Sequence, residues 1–208
     1  MELQILEVLP MLEQMKSVLE KKGYAVTVFE TAEQAKDYVM ASVTPEQSVG
    51  IGGSVTVQQL GLDKALAEKG CPVHWHWTAE DKEGAQIAAA VADVYLVSAN
   101  AVTKKGQIIN IDGHGNRVAA TIHGPGKVIF IIGKNKIAED YDAAMERIHT
   151  VACPGNARRL GLSTPCAITG KCADCASPQR MCNATVVFER APSGHPFEIL
   201  LINEDLGY

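Results

Sequence analysis

The sequence predicts an α/β fold with a mostly parallel sheet that helices cover on both faces. Short apolar segments rich in β-branched residues alternate with segments of helical period along most of the chain. The segment from Lys127 to Ile132 is apolar without alternation, which is typical of a central strand buried on both faces. The 208 residues contain no linker, repeat or low-complexity tract. We therefore expect a single domain over residues 1–208.

The first half of the chain predicts helices and strands in turn. Apolar residues recur every three or four positions from Leu3 to Leu19, which predicts an amphipathic helix that Pro10 should break or kink, unless it marks the start of a helix. Thr31 and Gln34 form a capping-box pair for a second helix. The elements after the first helix are a strand at 24–29, a helix from 31 to about 40, a strand at 48–51, a helix at 55–69 interrupted near Gly61, a strand at 72–77 and a helix from Thr78 to about 90.

The second half continues the alternation and ends in a different kind of segment. Strands are expected at 94–97, 107–111 and 127–132, followed by a helix at 141–151. Residues 165–208 contain a cysteine loop and two segments, 185–189 and 198–202, that predict a closing strand pair. We expect this C-terminal region to be an appendage rather than a second core.

Composition and charge exclude several classes of protein. Hydrophobic residues make up 47% of the chain and charged residues 21%, which argues against disorder. The net charge of −5 argues against a nucleic-acid partner, since such partners select a basic face. No uncharged apolar run reaches the roughly 18 residues that a membrane span needs. No secretory signal is visible at Met1, so we expect a cytoplasmic protein.

A glycine pair after the second predicted strand is the first candidate ligand site. Gly52 and Gly53 would let the backbone turn sharply and approach a ligand, and Ser54 could bind a phosphate or carboxylate. The alternative is a tight strand-to-helix turn in which Ser54 only caps the helix. The segment matches neither a dinucleotide-binding glycine motif nor a Walker loop.

A second candidate site follows two later strands. Ligands of open α/β sheets bind beyond the carboxyl ends of the strands, where Asn100 and the segment from Asp112 to Arg117 are expected. Asp112 and His114 are the candidate catalytic acid and base, while Asn116 and Arg117 would bind an anion. The alternative is a β-turn in which Asp112 and Asn116 bond the backbone and His114 is solvated.

The segment from His74 to Trp77 alternates histidine and tryptophan. On a strand the two histidines would share one face and the two tryptophans the other. The histidines could ligate a metal, but we favour packing by tryptophan, since no third ligand is close in sequence. Exposed Trp75 and Trp77 would suit the interface of a homo-oligomer.

The six cysteines are unevenly distributed. Cys71 is the only one in the first 150 residues and is expected in the core, whereas Cys153 could join the later ones in space. A cluster of thiols in one loop is more typical of a metal or redox site in a reducing compartment than of a secreted disulfide scaffold. An iron–sulfur cluster, structural zinc, labile disulfides and free thiols all stay open. The candidate ligands are Cys166, Cys172, Cys175 and Cys182.

Several motifs taken together resemble the lactate-utilisation (LUD) domain family, in its cysteine-bearing single-domain branch. The resemblance extends from about residue 10 to residue 208. The segments that carry it are Gly52 to Thr56, Asn100 to Thr103, Asn110 to Ala120, Gly124-Pro125, Asn135-Lys136, Gly170 to Cys182 and Asn203 to Tyr208.

The resemblance implies a fold similar to the sugar-phosphate isomerase and CoA-transferase superfamily. It also implies a phosphorylated, CoA-linked or carboxylate ligand at the strand ends, with iron–sulfur partner proteins in the oxidation of lactate to pyruvate. CoA-transferase-like sites carry an acid just before the position of Gly106, where this chain has Lys104 and Lys105. That departure disfavours a covalent glutamyl-CoA mechanism and makes Lys104 a candidate anion contact.

Three functions follow from these patterns. The first is a protein that binds a small anionic metabolite and supports oxidation of lactate or another 2-hydroxy acid, within an electron-transfer complex. The second is an independent enzyme of the CoA-transferase or isomerase type. The third is a non-catalytic scaffold whose cysteines hold a structural metal.

Overall fold

The described part of the chain contains ten strands and nine α-helices. The structure is a computed structural model, and it describes the backbone of residues 2–208 and the side chains of residues 9–208. The strands are β1 (Ala25–Phe29), β2 (Val49–Ile51), β3 (Val73–His74), β4 (Val94–Val97), β5 (Ala101–Thr103), β6 (Ile108–Asp112), β7 (Lys127–Gly133), β8 (Ile137–Ala138), β9 (Ala184–Phe188) and β10 (Phe197–Ile202).

The strands form two sheets. The larger sheet is parallel throughout and has the order β1-β10-β7-β4-β2-β3. The smaller sheet has the order β8-β5-β6-β9, with antiparallel pairing on both sides of β6. The predicted α/β class with a mostly parallel sheet is confirmed, and β7 lies inside the larger sheet as its unbroken apolar run indicates.

Four of the nine described helices follow strands of the larger sheet. A short 3₁₀ turn at Lys134–Lys136 follows β7, and a π-helical stretch at Ile148–Ala152 joins two later helices. None of the described helices is both long and apolar enough to cross a membrane. The helices are α1 (Glu2–Glu20), α2 (Ala32–Ser42), α3 (Val55–Gln59), α4 (Leu62–Lys69), α5 (Lys82–Ala90), α6 (Asn116–Ile122), α7 (Tyr141–Arg147), α8 (Cys153–Arg159) and α9 (Pro165–Thr169).

Alternate side chains of β7 enter two separate cores. Val128, Phe130 and Ile132 belong to one buried cluster, with residues of α1, and Ile129 and Ile131 belong to another, with residues of α2 and α4. Because successive side chains of a strand point to opposite faces, this division places apolar layers on both sides of the sheet. Because apolar layers cover both faces of the sheet, polar side chains can lie together at the ends of its strands.

The first two helices agree in part with expectation. Thr31 and Gln34 form the predicted capping box of α2. Helix α1 continues through Pro10, which is exposed, so the predicted break is wrong. Leu12 and Leu19 are buried as predicted, while the side chains of the earlier apolar positions 3 and 6 lie outside the described residues.

The segment from His74 to Trp77 is mostly a turn. Strand β3 ends at His74, and the backbone N–H groups of Thr78 and Ala79 both bond the carbonyl of Trp75. The predicted strand at 72–77, with alternating faces, is therefore too long. Trp75 is buried and packs against Trp77, with ring centroids 4.9 Å apart. The following helix begins later than predicted, because Asp81 rather than Thr78 caps it.

The two C-terminal strands lie in different sheets. Strand β9 pairs with β6 in the smaller sheet, whereas β10 lies between β1 and β7 in the larger one. The predicted closing pair is therefore wrong. The reason is that β10 is buried along its whole length, which only an inner position of the larger sheet provides.

Candidate functional site

A cavity of about 1010 Å³ lies at the carboxyl ends of the strands of the larger sheet. Loops that follow β2, β4, β7 and β10 reach it, together with the turn after β6. Because parallel strands end at one edge of a sheet, segments far apart in sequence meet here. The predicted site residues that line the cavity are Gly53, Ser54, Asn100, Asp112, His114, Asn116 and Arg117.

Gly52 lies beside this cavity and makes room for Arg117. A Cβ atom added to Gly52 would lie 2.9 Å from Cγ of Arg117 and 2.8 Å from the hydroxyl of Tyr95. Only a residue without a side chain fits between these two groups. Ser54, two residues on, accepts a hydrogen bond from the backbone N–H of Val57 at 3.3 Å and so caps α3.

The side chain of Arg117 is 12% exposed and is held in place by several acceptors. Its guanidinium donates to Oδ1 of Asn110 at 2.7 Å, to Oδ1 of Asn100 at 3.2 Å and to the carbonyl of Ile111 at 2.5 Å. Burial lowers its pKa from the ordinary value, and nearby Asp112 opposes that shift. Arg117 thus contributes positive charge to the cavity wall, while its donors connect Asn100, just before β5, to β6.

The carboxylate of Asp112 is used by the backbone. Its Oδ1 accepts from the N–H groups of His114 at 3.2 Å and Gly115 at 3.1 Å, and its Oδ2 accepts from Val118 at 3.2 Å. Nε of Arg117 lies 3.9 Å from Oδ2. This is the geometry of the turn alternative, in which Asp112 fixes the chain that carries His114 to the cavity.

Sequence reasoning missed Lys136, which lies in the turn after β7. Its Nζ donates to Oγ1 of Thr56 at 2.9 Å and to Oγ of Ser98 at 2.8 Å, and the residue is only 4% exposed. Burial, together with the charges of Arg147 and Arg117, lowers the pKa of Lys136 to about 7. The sequence feature that could have identified Lys136 is its position three residues after a buried central strand.

Basic side chains outnumber acidic ones around the cavity. Asp112 is the only carboxylate residue among the described lining residues, in a chain whose net charge is −5. Burial lowers the pKa of His76, which also lies near Asp112 and His114. At the rim, Arg159 stacks on Trp77, with its guanidinium carbon 4.2 Å from the ring centroid. The basic lining residues are Lys82, Arg117, Lys136, Arg159 and Arg180.

Part of the cysteine loop covers one side of the cavity. We call residues 170–183 the cysteine segment. Its residues from Pro178 to Met181, together with Asn183, line the cavity. Asn183 donates its backbone N–H to the carbonyl of Asp112 at 3.0 Å and its side-chain amide to Gly113 at 3.0 Å. The cysteine segment is therefore in contact with the loop that contains Asp112.

The family model described as the LUD domain matches residues 12–202 of the chain. The chain belongs to the LUD domain family. No curated protein matches it. This LUD domain is also similar to the crystal structure of a DUF162 family protein from Deinococcus radiodurans, at a TM-score of 0.54 and 14% identity, over 93% of this chain and 96% of that one. At that identity the likeness shows the fold alone.

Lys104 lies away from the cavity of this LUD domain. Its Nζ is 2.5 Å from Oε2 of Glu139, and its neighbours include Met11 and Met15 of α1. The structure thus does not bring Lys104 to the other predicted anion contacts. The reason is that β5 and β6 form a hairpin, which points the turn around Gly106 away from the strand ends of the larger sheet.

The cysteines of this LUD domain do not form a metal shell as they lie. Among residues 9–208, no group of three or more His, Cys, Asp or Glu side chains is placed to hold a metal ion. Cys172 is exposed, while Cys166, Cys175 and Cys182 are half-buried, and all are free thiols.

Cys153 is the only cysteine among the described residues that line the cavity. It is buried, lines the cavity and belongs to a small apolar cluster in which Cys182 and Met181 also pack. Burial raises the pKa of Cys153 to about 12, and Cys182, Cys166 and Cys172 add to that shift. Cys71 lies in the core, as its position in the sequence indicates.

Proposed function

We propose that this LUD domain binds a small anionic metabolite in its cavity and supports the oxidation of lactate or another 2-hydroxy acid. One observation carries the proposal: the cavity has several basic side chains and a single carboxylate, and that carboxylate is already used by backbone N–H groups. An anionic ligand would supply the missing negative charge.

Positive charge is costly to bury without a partner. The side chain of Arg117 is only 12% exposed, and Asp112, the one acidic side chain among the described lining residues, lies 3.9 Å from its Nε and already accepts from backbone N–H groups. The binding of a carboxylate or phosphate offsets that cost and gains charge-assisted hydrogen bonds. The cavity is as large as sites that hold drug-sized ligands, which cover about 300–1,000 Å³.

The link to lactate rests on membership of the family. As the resemblance implies, the electrons of the oxidation would pass to iron–sulfur partner proteins, and the domain described here would hold the metabolite. An independent CoA-transferase mechanism finds less support, because Asp112 is occupied and the lysines before Gly106 lie outside the cavity. Binding is therefore the function that the arrangement supports best.

The experiment compares two adjacent arginines. Arg159 lines the cavity, whereas Arg158 does not and donates to the carbonyl of Ala167 at 3.0 Å. Isothermal titration with L-lactate, pyruvate and inorganic phosphate should show binding of at least one anion to the wild type. Arg159→Gln should weaken that binding roughly tenfold, about 1.4 kcal/mol, because a charged hydrogen-bond donor is lost.

The matched variant Arg158→Gln should bind the same anion as tightly as the wild type does. The proposal fails if none of the three anions binds to the folded wild-type protein. It also fails if the two variants lose affinity equally, because the charge of the cavity rim would then play no special part.

A further inference from the structure

The amine of Lys136 lies at the cavity wall with hydroxyl oxygens as its partners. Thr56 Oγ1 and Ser98 Oγ both accept from its Nζ, at 2.9 and 2.8 Å. Among the described residues, no carboxylate forms an ion pair with it. A buried lysine usually has such a partner, so this arrangement favours an uncharged amine.

The hydrogen bonds around the amine suit its neutral form. Ser98 donates its own hydroxyl proton to the carbonyl of Ile131 at 2.5 Å, so toward Lys136 it can only accept. A neutral amine has two N–H donors, and Ser98 and Thr56 take both of them. The lone pair of the nitrogen then has no hydrogen-bond partner among the described residues and is free to react.

Burial and two neighbouring cations lower the pKa of the amine to about 7, so that part of it is uncharged near neutral pH. Arg117 and Arg147 are close enough for their positive charges to disfavour a third one, and burial acts in the same direction to lower the pKa. Desolvation and a neighbouring cation are the two devices that activate lysines for attack on carbonyl carbons.

The backbone of Gly207 packs beside the amine at the cavity wall. Gly207 lines the cavity beside Lys136, and a Cβ atom added to Gly207 would lie 3.1 Å from Nζ. Its φ of +65° is a conformation that other residues rarely adopt. A glycine at this position therefore avoids a side chain that would collide with Thr56, whose Oγ1 would lie 2.5 Å from the added Cβ, and crowd the amine.

We propose that Lys136 forms a reversible imine with the carbonyl carbon of an anionic 2-oxo acid bound in the cavity. The inference rests on the proposed function, because it requires the cavity to admit the anion. It also names the chemical class of the ligand, since a 2-oxo acid is what oxidation of a 2-hydroxy acid produces.

The reaction balances without an external oxidant or reductant. The lone pair of Nζ attacks the carbonyl carbon, a C–N bond forms, and the carbonyl electron pair moves to oxygen, which takes up a proton as nitrogen loses one. The carbinolamine then loses water as the C=N bond forms. The sum is one amine and one carbonyl giving one imine and one water. Thr56 and Ser98 orient the amine and are positioning residues.

The test traps the imine by reduction. The purified wild-type protein is incubated with pyruvate and sodium cyanoborohydride, and the product is examined by intact mass and peptide mapping. We expect one reduced adduct, located on Lys136. Lys136→Arg should abolish this adduct while keeping a cationic side chain. Lys134→Arg should retain it, because Lys134 bonds Asn203 and does not line the cavity.

The outcomes separate this inference from the proposed function. If anions bind in the titration but pyruvate gives no adduct on Lys136, the imine is wrong and the binding function stands. If adducts form equally on surface lysines and persist in Lys136→Arg, the imine is also wrong. If no anion binds, the proposed function itself fails. Circular dichroism of each variant checks that it is folded.

Discussion

The side chain of Arg117 lies directly against the backbone of Gly52, with no space for even one additional carbon atom between them. This contact connects the glycine turn after β2 to the helix that follows β6, and it lies beside the cavity. The two segments that the sequence singles out separately are therefore parts of one packed unit.

Substitution of Gly52 by alanine should disturb this contact. The new Cβ would overlap Arg117 Cγ and the Tyr95 hydroxyl, so we expect overpacking to lower the free energy of unfolding by about 1–3 kcal/mol. Urea unfolding followed by circular dichroism measures the loss. The matched change Gly194→Ala should cost less than about 0.5 kcal/mol, since its nearest described neighbour would be 3.8 Å away. Equal losses in both variants would contradict the prediction.

Substitution of Asp112 by asparagine should destabilise the turn rather than remove a nucleophile. An amide can replace only one of the two accepting oxygens, so at least one backbone N–H loses its acceptor. We expect a loss of about 1–3 kcal/mol in the free energy of unfolding. The exposed Asp37 provides the control, because Asp37→Asn should change little. An Asp112→Asn variant as stable as the wild type would show that the carboxylate does not fix the turn.

Lys136 should contribute stability that rises with pH above neutrality. The pKa of Lys136 is about 7 in the native state, whereas an unfolded lysine has a value of about 10.4. Between these values the unfolded chain binds the extra proton, so raising the pH favours the native state, and below pH 7 the cost of charging the buried amine is fully present.

The variant Lys136→Met removes this titration. Its free energy of unfolding, measured by urea at several pH values, should rise less than that of the wild type between about pH 7 and pH 10. Lys134→Met serves as the control and should follow the wild type. Parallel curves for Lys136→Met and the wild type would mean that the amine is charged in the native state throughout.

Arg180 should hold the cysteine segment over the cavity. Its Nη1 donates to Oδ1 of Asp174 and to the carbonyl of Cys175, both at 2.8 Å, and its Nε donates to the carbonyl of Cys182 at 3.3 Å. We expect Arg180→Ala to speed tryptic cleavage after Lys171 severalfold and to weaken anion binding. The exposed Arg190 provides a matched control, since Arg190→Ala should change neither. Unchanged cleavage in Arg180→Ala would contradict this role.

The thiols should react with iodoacetamide in the order of their exposure. Cys172 is exposed and should be labelled first, whereas Cys153 is buried, has a raised pKa and should be labelled last. Timed alkylation under anaerobic conditions, followed by peptide mapping, measures the order. A metal site at these cysteines, as their spacing predicts, would give a different labelling result. Protection of Cys172 together with bound iron or zinc would contradict the labelling order and support that site.

The sequence was most informative where local chemistry decides the structure. The Thr31 capping box and the unbroken apolar run of β7 each specify an element through neighbouring residues alone. The meeting of the Ser54 and Asp112 loops also follows from a general property of parallel sheets, whose carboxyl ends lie at one edge.

The features that sequence reasoning missed depend on contacts between distant segments. For the turn from Lys134 to Lys136, the sequence alone does not show which lysine enters the cavity, because that depends on where β7 ends. Strand β5 has three residues and is too short for a periodic pattern. The separation of β9 from β10 is set by pairing with strands far away in the chain, which no local pattern records.

The inner position of β10 has a consequence for the order of assembly. Strand β1 pairs in the larger sheet only with β10, which the ribosome makes more than 160 residues later. Strand β1 therefore has no partner in this sheet until β10 has been synthesised and has inserted beside β7. Pairing between such distant segments slows folding, because the entropy of closing the loop is lost before the contacts form. The emerging chain should depend on chaperones longer than a protein whose sheet grows in sequence order.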